Sequence, residues 1–242
     1  MFKLPLLTYA NPNKSVEFKD LGLISYKGAW DLQENLLKEK VAIKIEASAV
    51  NSQPFTENHL FFCEHPHVYT LGKSGKEENF LLNKELLESI QAEYFHINRG
   101  GDITYHGPGQ LVVYPILDLE NFFTDIHLYM RSLEEIVILT CAAFGIKAGR
   151  VDGLTGVWVD FESQNPRKIC ALGVKTSRWV TIHGLALNVN TDLAYFNHIV
   201  PCGLIDKQVT SIEKEIGSKV NMEEVKGIVK NAFSETFGAV VG

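Results

Sequence analysis

The chain has 242 residues, of which 45% are hydrophobic, 10% aromatic and 21% charged, and a formal net charge of −6. That balance supplies ample apolar material for a core and describes an ordinary globular protein. It argues against nucleic-acid recognition, which usually leaves a basic face, so an acidic partner must be met by a local patch.

No Ser/Pro/Gly-rich linker, charge block, low-complexity tract or repeat interrupts the chain, and residues 1–242 read as one domain. The opening MFKLPLLTYANPNK lacks a long apolar segment with a small-residue cleavage site, and no run reaches the length of a membrane span. A cytoplasmic protein that engages no membrane is the expectation. Cys63, Cys141, Cys170 and Cys202 form no CxxC pair and read as free thiols of a reducing compartment.

In chain order, VEFKDLGLISY reads as a strand and GAWDLQENLLKEKVAIK as a helix, with Trp30, Leu36, Leu37 and Val41 at near-helical spacing. HLFFCEH and VYTLG read as strands. His65 and His67 sit between them without HExxH or a paired CxxC, and read as turn or core histidines rather than ligands. KELLESIQAE reads as a short helix, and YFHIN as a strand entering RGGDITYHGPGQ, residues 99–110.

That segment holds Gly100, Gly101, Gly107 and Gly109 between two hydrophobic runs, with Arg99 and His106 as polar contacts. Glycine has no Cβ, so such backbone folds closely against a ligand. The spacing matches neither GxxxxGK[ST] nor GxGxxG, so a phosphate cradle is unsupported. QLVVYPILDL follows, apolar and β-branched, and reads as a strand covered on both faces. A loop ending on such a strand reads as a pocket wall, with a pair of strand-joining turns as the simpler alternative.

Segment 126–144 is a helix with Leu133, Ile136, Val137 and Thr140 on one side and Gly145 as its stop. GVWVDFE, the turn SQNPR and KICALGVK read as a hairpin, RWVTIHGLALNVN as another strand, and Asn221 as the cap of a helix through Val225, Val229 and Phe233. The class is α/β (α+β), a mixed or largely antiparallel sheet packed with helices rather than a doubly wound parallel one.

Cys202 in IVPCGL is the strongest nucleophile candidate, because Pro201 fixes the backbone's approach and Gly203 removes bulk; the alternative is a small buried hydrophobe. A thiol of pKa near ~8.5 is mostly protonated at neutral pH, and a neighbouring cation helps to make thiolate. Lys168 either points into a site or snorkels from a strand end. Regular alternation puts Lys168, Cys170, Leu172 and Val174 on one face and Ile169, Ala171, Gly173 and Lys175 on the other, with Cys170 read as core. Gly184 and Ala186 share a face, as Ala171 and Gly173 do, and the gap so left admits either a packed helix or a slender apolar ligand such as an acyl chain.

RGGDITYHGPGQLVVYPILDL, KICALGVK, HGLALNVN and IVPCGL, in that order, together with LGLISYKGAWDLQ and EHPHVYTLGKSG, resemble the lipoyl(octanoyl) transferases. The resemblance spans most of the chain, apart from the N-terminal tip and the last helix. It implies the fold of the biotin and lipoate protein ligase catalytic domains, related to class II aminoacyl-tRNA synthetases. It also implies octanoyl-acyl carrier protein as donor and, as acceptors, the lipoyl domains of 2-oxoacid dehydrogenase complexes and the glycine cleavage H protein. A monomer that uses neither ATP nor metal is the expectation, the donor bringing its own phosphopantetheine.

Residue by residue, the family's acyl-thioester cysteine falls on Cys202 and the lysine that lowers its pKa on Lys168. Its substrate-lining positions fall on Arg99, Gly100, Gly101, Asp102, Ile103, Thr104, Tyr105 and His106, on Ala171, Leu172 and Gly173, and on Gly184, Leu185 and Ala186. Lys73, Lys76, Lys175 and Arg178 are candidates for a basic rim that meets an acidic carrier. Oxyanion donors are sought among backbone N–H groups of the glycine-rich segments or in His106. An ATP-dependent lipoate or biotin protein ligase is the alternative on the same fold.

Overall fold

The computed structural model describes residues 11–200 and 208–242. Its elements are β1 Ser15–Leu23, α1 Tyr26–Ala49, β2 Asn58–Glu64, β3 Val68–Leu71, α2 Lys84–Ser89, β4 Glu93–His96, β5 Ile103–His106, β6 Gln110–Ile116, α3 Ile126–Ala143, β7 Ala148–Val151, β8 Leu154–Val159, β9 Arg167–Ser177, β10 Val180–Asn188, β11 Gln208–Val209, α4 Ile212–Ile216, α5 Met222–Phe237 and β12 Val240–Val241. Short 3-10 turns cover Glu77–Asn79, Leu119–Asn121 and Leu193–His198.

Among the described residues the large sheet runs β12-β1-β2-β6-β10-β9-β8-β7, with β11 beside β9. Its pairs from β2 across to β7 are antiparallel, while β1 pairs with β2 and β12 in parallel. A small sheet, β4-β3-β5, stands apart from it. The mixed α+β expectation is met, and the segment 99–110 is less of a loop than its glycines suggest: four of its residues form β5, paired antiparallel with β3.

β6 shows why its sequence lacks alternation. Leu111 and Val113 enter the core beneath α3 and α5, whereas Val112, Tyr114 and Ile116 pack under α1, so both faces are covered and every residue is apolar or bonded. Pro115 is tolerated in this central strand because the β10 ladder ends at Leu185↔Val113. Beyond that point the Thr181 hydroxyl donates to the Pro115 carbonyl and accepts from Leu117 N–H, so no donor is missed at the proline.

α1 departs from its apolar reading. Ser25 caps it by accepting from Gly28 N–H, but its inward stripe is Tyr26, Ala29, Gln33, Leu37, Lys40, Lys44 and Ala47, with Trp30, Leu36 and Val41 only half-buried. Lys44 lies 2.5 Å from Asp118 Oδ1 and 2.6 Å from Glu120 Oε2, and Lys40 donates to the Glu57 carbonyl. Buried lysines are held by such partners. α3 ends as its sequence demands, with Gly145 at φ +72° just past the cap Phe144.

Candidate active site

Even-numbered residues of β6 and β10 turn away from α3. Cross-strand register sets Ala186 beside Ala171 and Gly184 beside Gly173, a two-by-two patch with almost no side chain. Over this floor lies a cavity of about 450 Å³. Its wall includes Arg99, Gly100, Gly101, Asp102, Ile103, Thr104 and His106 from the glycine-rich segment; Lys168, Ala171, Leu172 and Gly173 from β9; and Gly184, Leu185 and Ala186 from β10. Tyr105 is the member of the expected set that does not line it. Strand alternation turns Tyr105 outward, fully buried against Tyr69 and Phe196, with its hydroxyl 2.7 Å from His67 Nδ1.

The glycines set a close contact between roof and floor. A Cβ on Gly173 would stand 2.8 Å from the Gly100 carbonyl and 3.0 Å from Arg99 Cδ. Gly100 N–H donates to the Val174 carbonyl at 3.0 Å, which pins the roof to β9. Arg99 holds the roof to the small sheet, donating from Nη2 to the carbonyl and hydroxyl of Thr70. Asp102 acquires a task invisible in the sequence: one oxygen accepts from Ile103 N–H and the other from Asn79 Nδ2, each at 2.7 Å. The Asn79 carbonyl in turn accepts from Val200 N–H, so this turn is tied to the chain two residues ahead of Cys202.

Lys168 reaches the cavity by an irregularity. Val157 pairs with Cys170 but Trp158 with Lys168, so Ile169 is an extra residue, a bulge that breaks the period of two. Ile169 and Cys170 both enter the α3-side core, and Lys168 does not share Cys170's face as regular alternation requires. The Lys168 ammonium lies 4.5 Å from the Trp158 ring centroid. Gly156, at φ +126°, accommodates its stem, because a Cβ there would be 3.2 Å from Lys168 Cε and 2.8 Å from the Cys170 carbonyl.

Hydrogen bonds fix the protons in the wall. Asn188 donates its Nδ2 to the Thr210 carbonyl, so its Oδ1 accepts from Gln110 Nε2, and Gln110 Oε1 faces His106 Nδ1 at 2.8 Å. The network therefore assigns the His106 proton to Nδ1 and leaves Nε2 as an acceptor. By the same logic His65 donates from Nδ1 to the Ile24 carbonyl and accepts the Tyr114 hydroxyl at Nε2. Burial, reinforced by His65, pulls His106 down to about 3, and burial pulls His65 down to about 4. Burial and Arg99 pull His183 down to about 3. All three are neutral imidazoles at neutral pH.

Cys202 lies outside the described residues. Cys63, Cys141 and Cys170 are buried free thiols, and burial pushes each upward, Cys141 to about 12. Among the described residues the grouping of metal-ligating side chains, Glu17, Glu57 and His59, stands apart from the cavity wall. Of the proposed basic rim, Lys175 is 2.8 Å from Glu34 and Lys76 3.2 Å from Glu78, whereas Lys73 and Arg178 are exposed. Sequence reading missed Tyr26, Met130, Tyr114 and Trp158 in the wall. Period-two spacing from Gln110 would have found Tyr114, and the hairpin register Trp158; helix residues Tyr26 and Met130 carry no local signal.

A fold of this kind is shared by a bi-partite lipoate protein ligase of Thermoplasma acidophilum, with a TM-score of 0.66 over 96% of this chain and 86% of that one at 17% identity. Lipoate-protein ligase A bound with ATP gives a TM-score of 0.66 at 16% identity, covering 95% and 87%. At such identity the likeness is one of fold: this is a lipoate-ligase-type α+β fold. Residues 25–234 match the lipoyl protein ligase A/B catalytic domain. The octanoyltransferase of Cytophaga hutchinsonii is 60% identical over 223 residues, 90% of this chain and 91% of that protein. That of Christiangramia forsetii is 55% identical, covering 94% and 97%. The chain belongs to the lipoyl(octanoyl) transferases, the acyltransferase members of this ligase-like family.

No helix among the described residues is long and apolar enough to cross a membrane.

Proposed function

We propose that this protein moves an octanoyl group from acyl carrier protein, through a thioester on Cys202, to a lysine of a lipoyl domain. The observation that carries the reading is Lys168 standing in the wall of a cavity whose floor is the Ala171, Gly173, Gly184 and Ala186 patch, in a member of this family. Three of the four cysteines are buried thiols held protonated, which leaves Cys202 for nucleophilic work.

In this reading Lys168 as ammonium stabilises the Cys202 thiolate, which attacks the donor thioester; the lysine proton then goes to the departing phosphopantetheine thiol. The neutral amine next takes a proton from the acceptor lysine as that nitrogen attacks the enzyme thioester. Thioester exchange is nearly isoenergetic and amide formation from a thioester is downhill, so neither ATP nor metal enters. Burying the chain contributes at most about 5 kcal/mol at ~0.8 kcal/mol per CH₂. Acceptors are the lipoyl domains of 2-oxoacid dehydrogenase complexes and the glycine cleavage H protein, met in the cytoplasm.

Intact-mass measurement after mixing with octanoyl-acyl carrier protein tests it. A hydroxylamine-sensitive octanoyl adduct is expected on the native chain and not on Cys202→Ala or Cys202→Ser. Octanoyl transfer without an adduct overturns the covalent route, and transfer that requires ATP favours a ligase.

A further inference from the structure

The cavity has two unlike ends. At one, Lys168 rests over Trp158 where β9 meets β8. At the other, Tyr26 and His106 stand over β6: His106 Nδ1 is 2.8 Å from Gln110 Oε1, and His65, whose ring centroid is 5.3 Å from that of Tyr26, bonds Tyr114 of the same strand. The Tyr26 and His106 rings stack, with centroids 5.8 Å apart and planes 13° from parallel. Between the two ends the floor is Ala171, Gly173, Gly184 and Ala186, without a polar side chain. From β9 to β6 is two inter-strand gaps, about 10 Å, which an extended eight-carbon chain spans.

Two polar atoms at the second end are unspent. With its proton on Nδ1, His106 presents Nε2 as an acceptor, and the Tyr26 hydroxyl is a donor; neither atom has a hydrogen-bond partner among the described residues. Both side chains belong to the cavity wall and are more than nine-tenths buried, Tyr26 at 2% and His106 at 7% relative exposure. Buried polar atoms ordinarily find partners. Among the described residues, the partnerless side-chain atoms that are sealed from solvent are His59 Nε2, Tyr129 Oη, Trp158 Nε1 and Thr236 Oγ1, so Tyr26 Oη and His106 Nε2 open onto space that a ligand atom can fill. Thr104 and Thr155 also bring hydroxyls to the wall, but Thr104 is half-buried and Thr155 exposed, so bulk water satisfies them.

A hydroxyl both accepts and donates, and so answers a phenol donor and an imidazole acceptor together; a methyl group answers neither. We propose that Tyr26 and His106 form a subsite for a hydroxyl at the far end of a medium-length acyl chain, which extends the substrates of this protein to ω-hydroxyacyl thioesters. The inference rests on the acyl-transfer reading above. Chemistry at the head of the chain is unchanged: the thioester C–S bond breaks, an amide C–N bond forms to the acceptor lysine, and the proton that nitrogen loses ends on the departing thiol. The far hydroxyl takes no part in bond exchange and is read by its position.

Three carrier-protein donors separate the possibilities: octanoyl, 8-hydroxyoctanoyl and 3-hydroxyoctanoyl, the last with its hydroxyl toward the Lys168 end. Transfer to a lipoyl domain, followed by intact mass, gives kcat/KM for each. The native chain is expected to use the 8-hydroxy donor within about tenfold of octanoyl, where an apolar pocket end rejects an added hydroxyl by about 100-fold. Tyr26→Phe keeps the ring stack and loses no hydrogen bond to the described residues. It should lower the ratio of 8-hydroxyoctanoyl to octanoyl transfer by about tenfold, the loss of one hydrogen bond, and leave the ratio for 3-hydroxyoctanoyl where it was. Rejection of the 8-hydroxy donor by about 100-fold or more in the native chain overturns the proposal, as does an unaltered ratio in Tyr26→Phe. A ratio that falls equally for both hydroxy donors overturns it too, since Tyr26 then acts on the pocket as a whole. If the native chain transfers none of the three, the acyl-transfer reading itself has failed, and calorimetry with the free acids decides the subsite alone. There the native chain should bind 8-hydroxyoctanoate at least as tightly as octanoate and Tyr26→Phe should bind it less tightly; the same preference in both chains overturns the subsite.

Discussion

The two faces of the large sheet are made from the same strands and share almost nothing else. Toward α3 and α5, Leu111, Val113, Leu133, Val137, Cys170 and Leu187 close a dry apolar core. Toward the small sheet, the alternate residues are Gln110, Tyr114, Gly184, Ala186 and Asn188, with a cavity over them. One face spends its residues on burial; the other leaves a cavity, keeps the neutral His106 in its wall and holds a lysine by an aromatic ring. Stability and chemistry are therefore separated by a period of two along single strands, and substitutions should sort by face.

The largest effect is expected from Lys168→Met, which should slow acyl-adduct formation roughly 10²- to 10⁴-fold with little change in melting temperature; equal losses in both would merge the two faces. Leu133→Ala, fully buried on α3, should cost about 2–5 kcal/mol in denaturant unfolding and leave acylation per folded molecule intact. Acid gives a third test. The folded-state pKa values of His65, His106 and His183 lie below the unfolded value, so the unfolded chain binds more protons and stability falls as pH drops from about 6.5 toward 4. Each histidine then contributes up to about 1.4 kcal/mol per pH unit, and a flat melting temperature between pH 6.5 and 5 would contradict their neutral burial.

Ala186→Leu adds bulk to the cavity floor, and should shift preference toward shorter acyl donors by about tenfold; unaltered acyl preference would place the chain elsewhere. The smallest effect belongs to the exposed rim. Lys73→Glu should raise KM for the carrier-bound donor a few-fold and flatten its salt dependence, because an exposed charge acts mostly through encounter.

Much of this contrast is legible in the sequence wherever a ladder is regular. QLVVYPI announces a doubly covered strand, Asn221 caps α5 by accepting from Glu223 N–H, and Ala171, Gly173, Gly184 and Ala186 line up as alternation requires. It is illegible where regularity breaks or partners are distant. The bulge at Ile169 reverses the face of Lys168, and nothing in KICALGVK marks the extra residue. Asp102 finds Asn79 across 23 positions, and the lysines within α1 meet carbonyls and carboxylates that no helical period contains. Tyr105 sits inside the motif yet faces out of the cavity, because a motif names neighbours in sequence and β5 sends them to opposite sides.

The hydrogen bond from Gly100 N–H to the Val174 carbonyl joins a roof carried by one sheet to a floor carried by another. Its amide is consequently a clock for the site. In deuterated solvent, the exchange rate of that one proton reports how often roof and floor part in the protein alone, without substrate. A lipid-tailed donor that wedges between them should hasten exchange at Gly100 while amides beneath α3 keep their protection.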